Sequence, residues 1–177
     1  AARYFGDSTA YMLGRMTLNP MKHIDPIWTI LVPLVTLLVS PFVFGAAKPV
    51  PVNFGALRNP KRDMIWVAAA GPLANLAMMI LWAIVAKIAI SLALVGEAGI
   101  FVNALLMVFN LFPLLPLDGG RILTGLRPNK MANTFSRTEP YGMLILVALL
   151  VTGVFGRFMG PLVNFSMKSI YAIIGLS

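Results

Sequence analysis

Cysteine, histidine and charge are all scarce in this sequence. Its 177 residues include no cysteine and one histidine, and only 11% of them are charged. The absence of cysteine excludes a disulfide framework and a cysteine-based metal site. A soluble domain usually carries about 25% charged residues. Because this chain has too few charges to cover a water-exposed surface, we expect lipid to be its main solvent.

The charges that are present are mostly basic. The sequence has fourteen lysines and arginines but only six acidic residues, which gives a net charge of +8. The basic residues are scattered and no aromatic-rich polar face accompanies them, so nucleic-acid binding is disfavoured. In a membrane protein such an excess is typical of cytoplasmic loops beside anionic headgroups. We therefore expect the basic loops 45–63 and 118–140 to be cytoplasmic.

Long apolar runs occupy most of the remaining sequence. A spanning helix needs about 20 apolar residues, and these runs predict spans near residues 27–44, 72–95, 98–117 and 141–156. The tail predicts a short fifth span near 161–176, or an interfacial helix. The expected fold is a single membrane-embedded domain over residues 1–177, an all-α polytopic protein with about four to five transmembrane segments.

Two of the apolar runs contain helix-breaking residues. Gly71-Pro72 predicts the start of a new helix, with Asn75 in its first turn at membrane depth. The third run ends in FPLLPLDGG, where two prolines interrupt the helix and Asp118 precedes a short helix over residues 121–126. Non-helical backbone persists at this depth only when it is buried in protein or lines a wet cavity. We therefore expect the functional site at these broken helices.

A small β element is predicted at the membrane surface. Residues 49–53 contain a Pro-x-Pro pattern with β-branched neighbours, which favours extended chain, and residues 11–18 also read as a strand. The first of these segments is either an inert loop or an edge that adds a strand to an extended substrate through Val50 and Val52.

The stretch NLFPLLPLDGGRIL, around Asp118, resembles the Leu-Asp-Gly motif of the site-2 protease family of intramembrane zinc metalloproteases. The stretches GDSTAYMLGRMTLNPMKHIDPI and KPVPVN with RNPKRDMIWVAAAGPLANL agree with the bacterial branch of that family that lacks PDZ domains. These motifs occur in family order, at family-like spacing, over most of residues 6–126. The combination is far more specific than an isolated Leu-Asp-Gly.

The resemblance implies a zinc site and a reaction. In the family, two histidines of a His-Glu-x-x-His motif and the aspartate of Leu-Asp-Gly hold zinc, and the motif's glutamate is the general base. When the family motif is matched to this sequence, the resemblance implies that Asp118 is a zinc ligand and that Gly119 and Arg121 support it. The implied substrate is a transmembrane segment of another protein, and the implied location is the bacterial inner membrane, where the protein crosses the bilayer several times.

The sequence also departs from the family pattern. Its single histidine, His23, has no Glu or His partner at the motif spacing. In the family, His-Glu-x-x-His precedes the segment that matches ARYFGD, so we expect the motif and its general base upstream of Ala1, and we expect residues 1–177 alone to be inactive. Trp28 stands where the family pattern leads us to expect glycine.

Other interpretations of the same residues stay open. Asp118 could cap its helix or pair with Arg121. Asn75 and Asn110 could join helices, which is a common role of buried amides in membranes, or hydrogen-bond the substrate or a developing oxyanion. The whole chain could be a non-catalytic membrane scaffold, or a secondary transporter with broken helices, although no inverted repeat is apparent.

Overall fold

The computed structural model describes residues 1–17, 19–39, 48 and 50–175, and every regular element in these residues is helical. The chain divides into two compact units, Ala1–Pro60 and Lys61–Ser177. The all-α prediction is therefore confirmed for the described residues, whereas the predicted β element has no strand among them.

The first unit is built from short helical turns. It contains α1 (Thr9–Met12), a 3-10 turn (Pro20–His23), a π-helical turn (Pro26–Leu31) that continues into α2 (Val32–Val39), and a 3-10 turn (Phe54–Ala56). Of the predicted span 27–44, residues 27–39 are helical, and 40–44 lie outside the described residues.

The strand predicted over residues 11–18 is wrong at its start, because Tyr11 and Met12 belong to α1. Gly14 ends this helix with φ +63°. Its N–H donates to the Tyr11 carbonyl and the Arg15 N–H donates to the Ala10 carbonyl, which is the Schellman arrangement that a glycine permits. Leu18, at the end of the predicted strand, lies outside the described residues.

The second unit contains the long helices. These are α3 (Pro60–Ile88), α4 (Ala93–Asn110), α5 (Asp118–Leu126), α6 (Asn129–Ser136), α7 (Glu139–Val151) and α8 (Val154–Ile174), with a 3-10 turn (Ile90–Leu92) between the first two. Among the described helices, α3 and α4 are each long and apolar enough to cross a membrane, and α7 with α8 forms one further candidate bent by 82°. The described part of the chain thus provides two or three candidate spans.

The break predicted at Gly71-Pro72 is wrong. Helix α3 runs without interruption for 29 residues and contains Pro72 in its interior. An internal proline removes one helical hydrogen bond. In an apolar environment, however, unwinding would leave further backbone groups without partners, so a continuous helix is favoured. The span expected at 72–95 therefore begins earlier in the chain, and the helix ends at Ile88.

The later spans also differ in their bounds from the prediction. Helix α4 covers Ala93–Asn110 instead of 98–117, because Pro113 and Pro116 keep residues 111–117 out of a helix. The span predicted at 141–156 is divided at Gly153, whose φ of +70° ends the run between α7 and α8. Helix α8 covers most of the predicted fifth segment, with Pro161 in its interior.

The core of the second unit lies between α3, α4, α7 and α8. Met79, Ala83, Ile100 and Ala104 are fully buried. A Cβ on Gly96 would lie 2.6 Å from Cβ of Ala86, so small residues allow α3 and α4 to approach closely, as is typical of membrane helices. Many large apolar side chains elsewhere remain exposed. An exposed apolar surface of this extent fits a membrane protein.

Candidate metal centre

A loop formed by residues 111–117 folds back on the first turn of α5. A Cβ on Gly119 would lie 2.1 Å from the Leu111 carbonyl oxygen, and a Cβ on Gly120 would lie 2.5 Å from the Leu114 carbonyl carbon. No side chain fits at either position. The two glycines after Asp118 are therefore required for the loop to pack against the helix that carries this carboxylate.

Helix α7 covers the same loop from another direction. A Cβ on Gly142 would lie 1.7 Å from the Leu115 carbonyl oxygen, and the Leu115 side chain is only 2% exposed. The peptide bond between Leu115 and Pro116 is cis. The loop is thus held between the start of α5 and the first turns of α7, which fixes where Asp118 lies.

Asp118 is the first residue of α5 and is partly buried. A Cβ on Gly71 would lie 2.9 Å from Oδ2 of Asp118, so the carboxylate lies directly over the backbone of α3. Leu117 is the N-cap residue, and no side-chain hydrogen bond caps the helix. The described residues provide no hydrogen-bond donor to the Asp118 carboxylate, so its oxygens are available to a ligand.

Burial and a neighbouring charge have opposite effects on the pKa of the Asp118 carboxyl. Partial burial raises the pKa of its carboxyl above the usual value, and the nearby Arg121 guanidinium partly offsets this increase. Nη2 of Arg121 lies 2.9 Å from Oε1 of Glu139, so this arginine is held by an ion pair to α7. The predicted supporting residues Gly119 and Arg121 are therefore next to Asp118 and have identifiable structural roles.

Asn75 lies on α3 one turn after Gly71. Residues four positions apart share a face of a helix, so Asn75 is on the same face of α3 as the glycine that contacts Asp118. Its side chain is partly buried, and its amide makes no hydrogen bond with the part of the chain that the structure describes. The structure thus brings Asn75 to the Asp118 side of α3 with its amide available.

Val50 and Val52 belong to the first unit. Val50 is 45% exposed and Val52 is partly buried. The segment is held on both sides, since the Lys48 N–H donates to the His23 carbonyl at 2.9 Å and the Asn53 N–H donates to Oδ2 of Asp7 at 2.9 Å. Between these anchors, the backbones of both valines have no hydrogen-bond partner among the described residues. Pro49 lies outside those residues.

Asp7 is the residue that sequence reasoning missed. Its side chain is 2% exposed, and it accepts hydrogen bonds from the Thr9 N–H, the Thr9 hydroxyl and the Asn53 N–H. The Thr9 hydroxyl bond is the largest cause of a lowered pKa, and the two backbone bonds add to it against the opposing effect of burial. The Asp-Ser-Thr sequence is typical of a local side-chain turn, but nothing in it indicates the bond to Asn53.

Among the described residues, Asp118 is suited to fill one ligand position of a zinc site. No group of three or more His, Cys, Asp or Glu side chains occurs among them. Nε2 of His23, in the first unit, is 3.0 Å from the Thr17 carbonyl oxygen. The carboxylate of Asp118 is a suitable oxygen ligand for zinc.

Two curated relatives resemble the chain along most of its length. YwhC of Bacillus subtilis (strain 168), provisionally named a zinc metalloprotease, is 35% identical over 178 residues, which cover 94% of this chain and 78% of that protein. Rip2 of Mycolicibacterium smegmatis (strain ATCC 700084 / mc(2)155), which has the same provisional description, is 28% identical over 181 residues, or 96% of this chain and 68% of that protein. No protein-family model matches the chain, and no solved structure matches it significantly.

Proposed function

Because this chain belongs to the site-2 protease family of zinc metalloproteases, we propose that it forms part of an intramembrane endopeptidase. The proposed reaction is zinc-dependent hydrolysis of peptide bonds within or near transmembrane segments of other membrane proteins. The observation that carries the proposal is the Asp118 carboxylate, which is held by a glycine-packed loop against α3 and accepts no hydrogen bond from the described residues.

In this proposal Asp118 is one of three protein ligands to zinc. The other two are the histidines of a His-Glu-x-x-His motif that this sequence does not contain, so we place that motif in a longer parent protein. Zinc in such a site lowers the pKa of bound water toward neutrality and polarises the scissile carbonyl. Asp118 is suited to a fixed ligand position because Gly119, Gly120 and Gly142 hold its loop tightly.

The remaining residues position the ligand and the substrate. Arg121, paired with Glu139, keeps positive charge beside Asp118 and so favours its ionised form. The Asn75 amide, on the face of α3 that contacts Asp118, can donate a hydrogen bond to a substrate carbonyl or to a developing oxyanion. The backbone at Val50 and Val52, which has no hydrogen-bond partner among the described residues, can add a strand to an unwound substrate. Residues 45–63 and 118–140 face the cytoplasm in the proposed multi-pass arrangement.

Zinc content tests the central assignment. The parent protein, purified in detergent, is expected to hold about one zinc per chain, whereas Asp118→Ala is expected to lose most of it because one of three protein ligands is removed. Glu97→Gln, which removes a carboxylate from α4, serves as the control and should retain zinc. Full zinc content in Asp118→Ala would exclude Asp118 as a ligand.

A non-catalytic scaffold is the second candidate, because the described residues contain no cluster of metal-binding side chains. The two candidates are separated by assaying the parent protein for cleavage of a transmembrane substrate, with and without a zinc chelator. Chelator-sensitive cleavage supports the protease. A parent protein that neither binds zinc nor cleaves supports the scaffold. Residues 1–177 alone are expected to be inactive in the same assay.

A further inference from the structure

A surface cavity of about 380 Å³ lies beside α6, and Asp118 is not among its lining residues. Its lining contains two cations, two hydroxyls and two apolar side chains, contributed by Arg127, Lys130, Met131, Thr134, Phe135 and Thr138. All of these residues belong to the second unit, on α6 or directly beside it. None of them takes part in the proposed metal centre, so the cavity needs a separate explanation.

The cavity is basic and its charges are not neutralised. Neither Arg127 nor Lys130 has an acidic partner among the described residues. The nearby acid Glu139 is paired with Arg121. The Arg127 guanidinium carbon instead lies 5.0 Å from the centre of the Phe135 ring, which orients this cation without cancelling its charge. The site is therefore suited to an anion.

A third cation is anchored next to this cavity. Nζ of Lys61, in the first turn of α3, donates to Oδ1 of Asn129, the first residue of α6, at 2.9 Å. A Cβ on Gly125, near the end of α5, would lie 3.0 Å from the Lys61 carbonyl oxygen. The basic end of α3 is thus packed against the α5–α6 connection, and the positive charge of this region is increased.

Apolar side chains flank the basic residues. Leu126 is 67% exposed and Met131 is 53% exposed, although both lie within a few residues of Arg127 and Lys130. Helix α6 begins beside Lys61, which precedes the apolar part of the candidate spanning helix α3. Basic side chains with exposed apolar neighbours at the end of a span are typical of the boundary between headgroups and acyl chains.

We propose that this cavity binds the phosphate group of an anionic membrane phospholipid. Arg127 and Lys130 contact the phosphate through charge-assisted hydrogen bonds, and Lys61 adds positive charge at the rim. Leu126 and Met131 contact the first part of the acyl chains. Because the site involves neither zinc nor peptide hydrolysis, the lipid-binding proposal can be tested independently of the proposed function.

Native mass spectrometry of the full chain in detergent tests the proposal. The protein is titrated with phosphatidylglycerol and, separately, with zwitterionic phosphatidylcholine. We expect the wild type to bind phosphatidylglycerol more tightly, and Arg127→Gln/Lys130→Gln to lose roughly 30-fold in affinity, because each basic residue contributes about fivefold near an anionic lipid. The control Arg157→Gln/Lys168→Gln removes the same charge from α8 and should bind normally.

Equal losses in the two double variants, or equal affinity of the wild type for both lipids, would overturn the proposal. Inorganic phosphate serves as a competitor, and displacement of phosphatidylglycerol by phosphate at millimolar concentration would indicate a free-phosphate site instead of a lipid site. If the Arg127/Lys130 variant does not fold, the lipid preference of the wild-type protein alone tests the proposal. Its preference for phosphatidylglycerol should fall steeply with added salt, and a salt-independent preference would contradict the assignment.

Discussion

Gly71 of α3 and Asp118 of α5 are so close that a Cβ on Gly71 would lie 2.9 Å from Oδ2 of the carboxylate. This contact gives the Gly71-Pro72 pair a different role from the helix break that its sequence indicates. The helix continues through both residues, and the glycine leaves room for the acid. A position that usually weakens a helix is therefore explained by the close approach of the Asp118 carboxylate.

Gly71→Ala is expected to lower zinc affinity without lowering the stability of the fold. Alanine favours a helix over glycine by about 1 kcal/mol, but Gly71 precedes Pro72, and a Cβ before proline disfavours the helical conformation. Because these effects oppose each other, the free energy of unfolding should change little. The added Cβ should displace the Asp118 carboxylate and, in the parent protein, lower zinc affinity by about tenfold. Zinc titration and thermal unfolding in detergent measure the two effects.

The matched control for this substitution is Gly160→Ala, because a Cβ at Gly160 meets no atom within 4 Å. Gly160 also precedes a proline inside its helix, Pro161, so this variant should change the free energy of unfolding to a similar small extent, with unchanged zinc affinity. Wild-type zinc affinity in Gly71→Ala would show that the contact between α3 and Asp118 does not position the ligand.

Gly142→Ala is expected to destabilise the second unit. Its Cβ would lie 1.7 Å from the Leu115 carbonyl oxygen, which is backbone and cannot move as a flexible side chain can. Overpacking of this kind costs about 3 kcal/mol, so the denaturation midpoint should fall clearly. Gly156→Ala, where a Cβ meets no atom within 4 Å, should be neutral or slightly stabilising. Equal midpoints for the two variants would contradict the packing of α7 on the loop.

Hydropathy and proline positions predicted the helical class, the loop after α4 and a short helix over residues 121–126. In the structure this helix begins at Asp118, with Leu117 as its N-cap, so the capping role considered for Asp118 is wrong. The same sequence patterns did not predict the bounds of α3 or the division at Gly153, because both depend on tertiary contacts and on how a lipid-exposed backbone satisfies its hydrogen bonds. The metal role of Asp118 came from resemblance and stays a prediction. The close contacts of Gly71 with Asp118 and of Gly142 with Leu115 could not be predicted from sequence, because a glycine indicates a close approach only once its spatial neighbour is known.

Asp7 is expected to make the first unit sensitive to acid. Its folded-state pKa is lowered, chiefly by the Thr9 hydroxyl. The stability that it contributes is therefore fully present above the unfolded pKa of about 3.9, and it is lost as the pH falls through the folded value. Amide exchange at Asn53, corrected for the intrinsic rate, should accelerate over that range because its N–H donates to the Asp7 carboxylate.

Asp7→Asn provides the reference for this measurement. The neutral amide cannot match the charge-assisted bonds, so the variant should lose about 2 kcal/mol of protection at neutral pH. It should also show little further change on acidification, and the wild type should approach it at low pH. A wild type that keeps its full protection at pH about 2, well below the unfolded pKa, would contradict the assigned role of Asp7.

Lys87→Met is expected to loosen the end of α8 without affecting Asp118. Nζ of Lys87, near the end of α3, donates to the carbonyl oxygen of Ile174, the last residue of α8, and a cation there also favours the negative end of the helix dipole. Methionine keeps the apolar stem but not the charge, so amide exchange over residues 171–175 should rise by about fivefold, for a loss of about 1 kcal/mol. Lys168→Met removes a charge within the same helix and should leave that exchange unchanged. Unaltered exchange in Lys87→Met would show that the contact with Lys87 of α3 does not stabilise the end of α8.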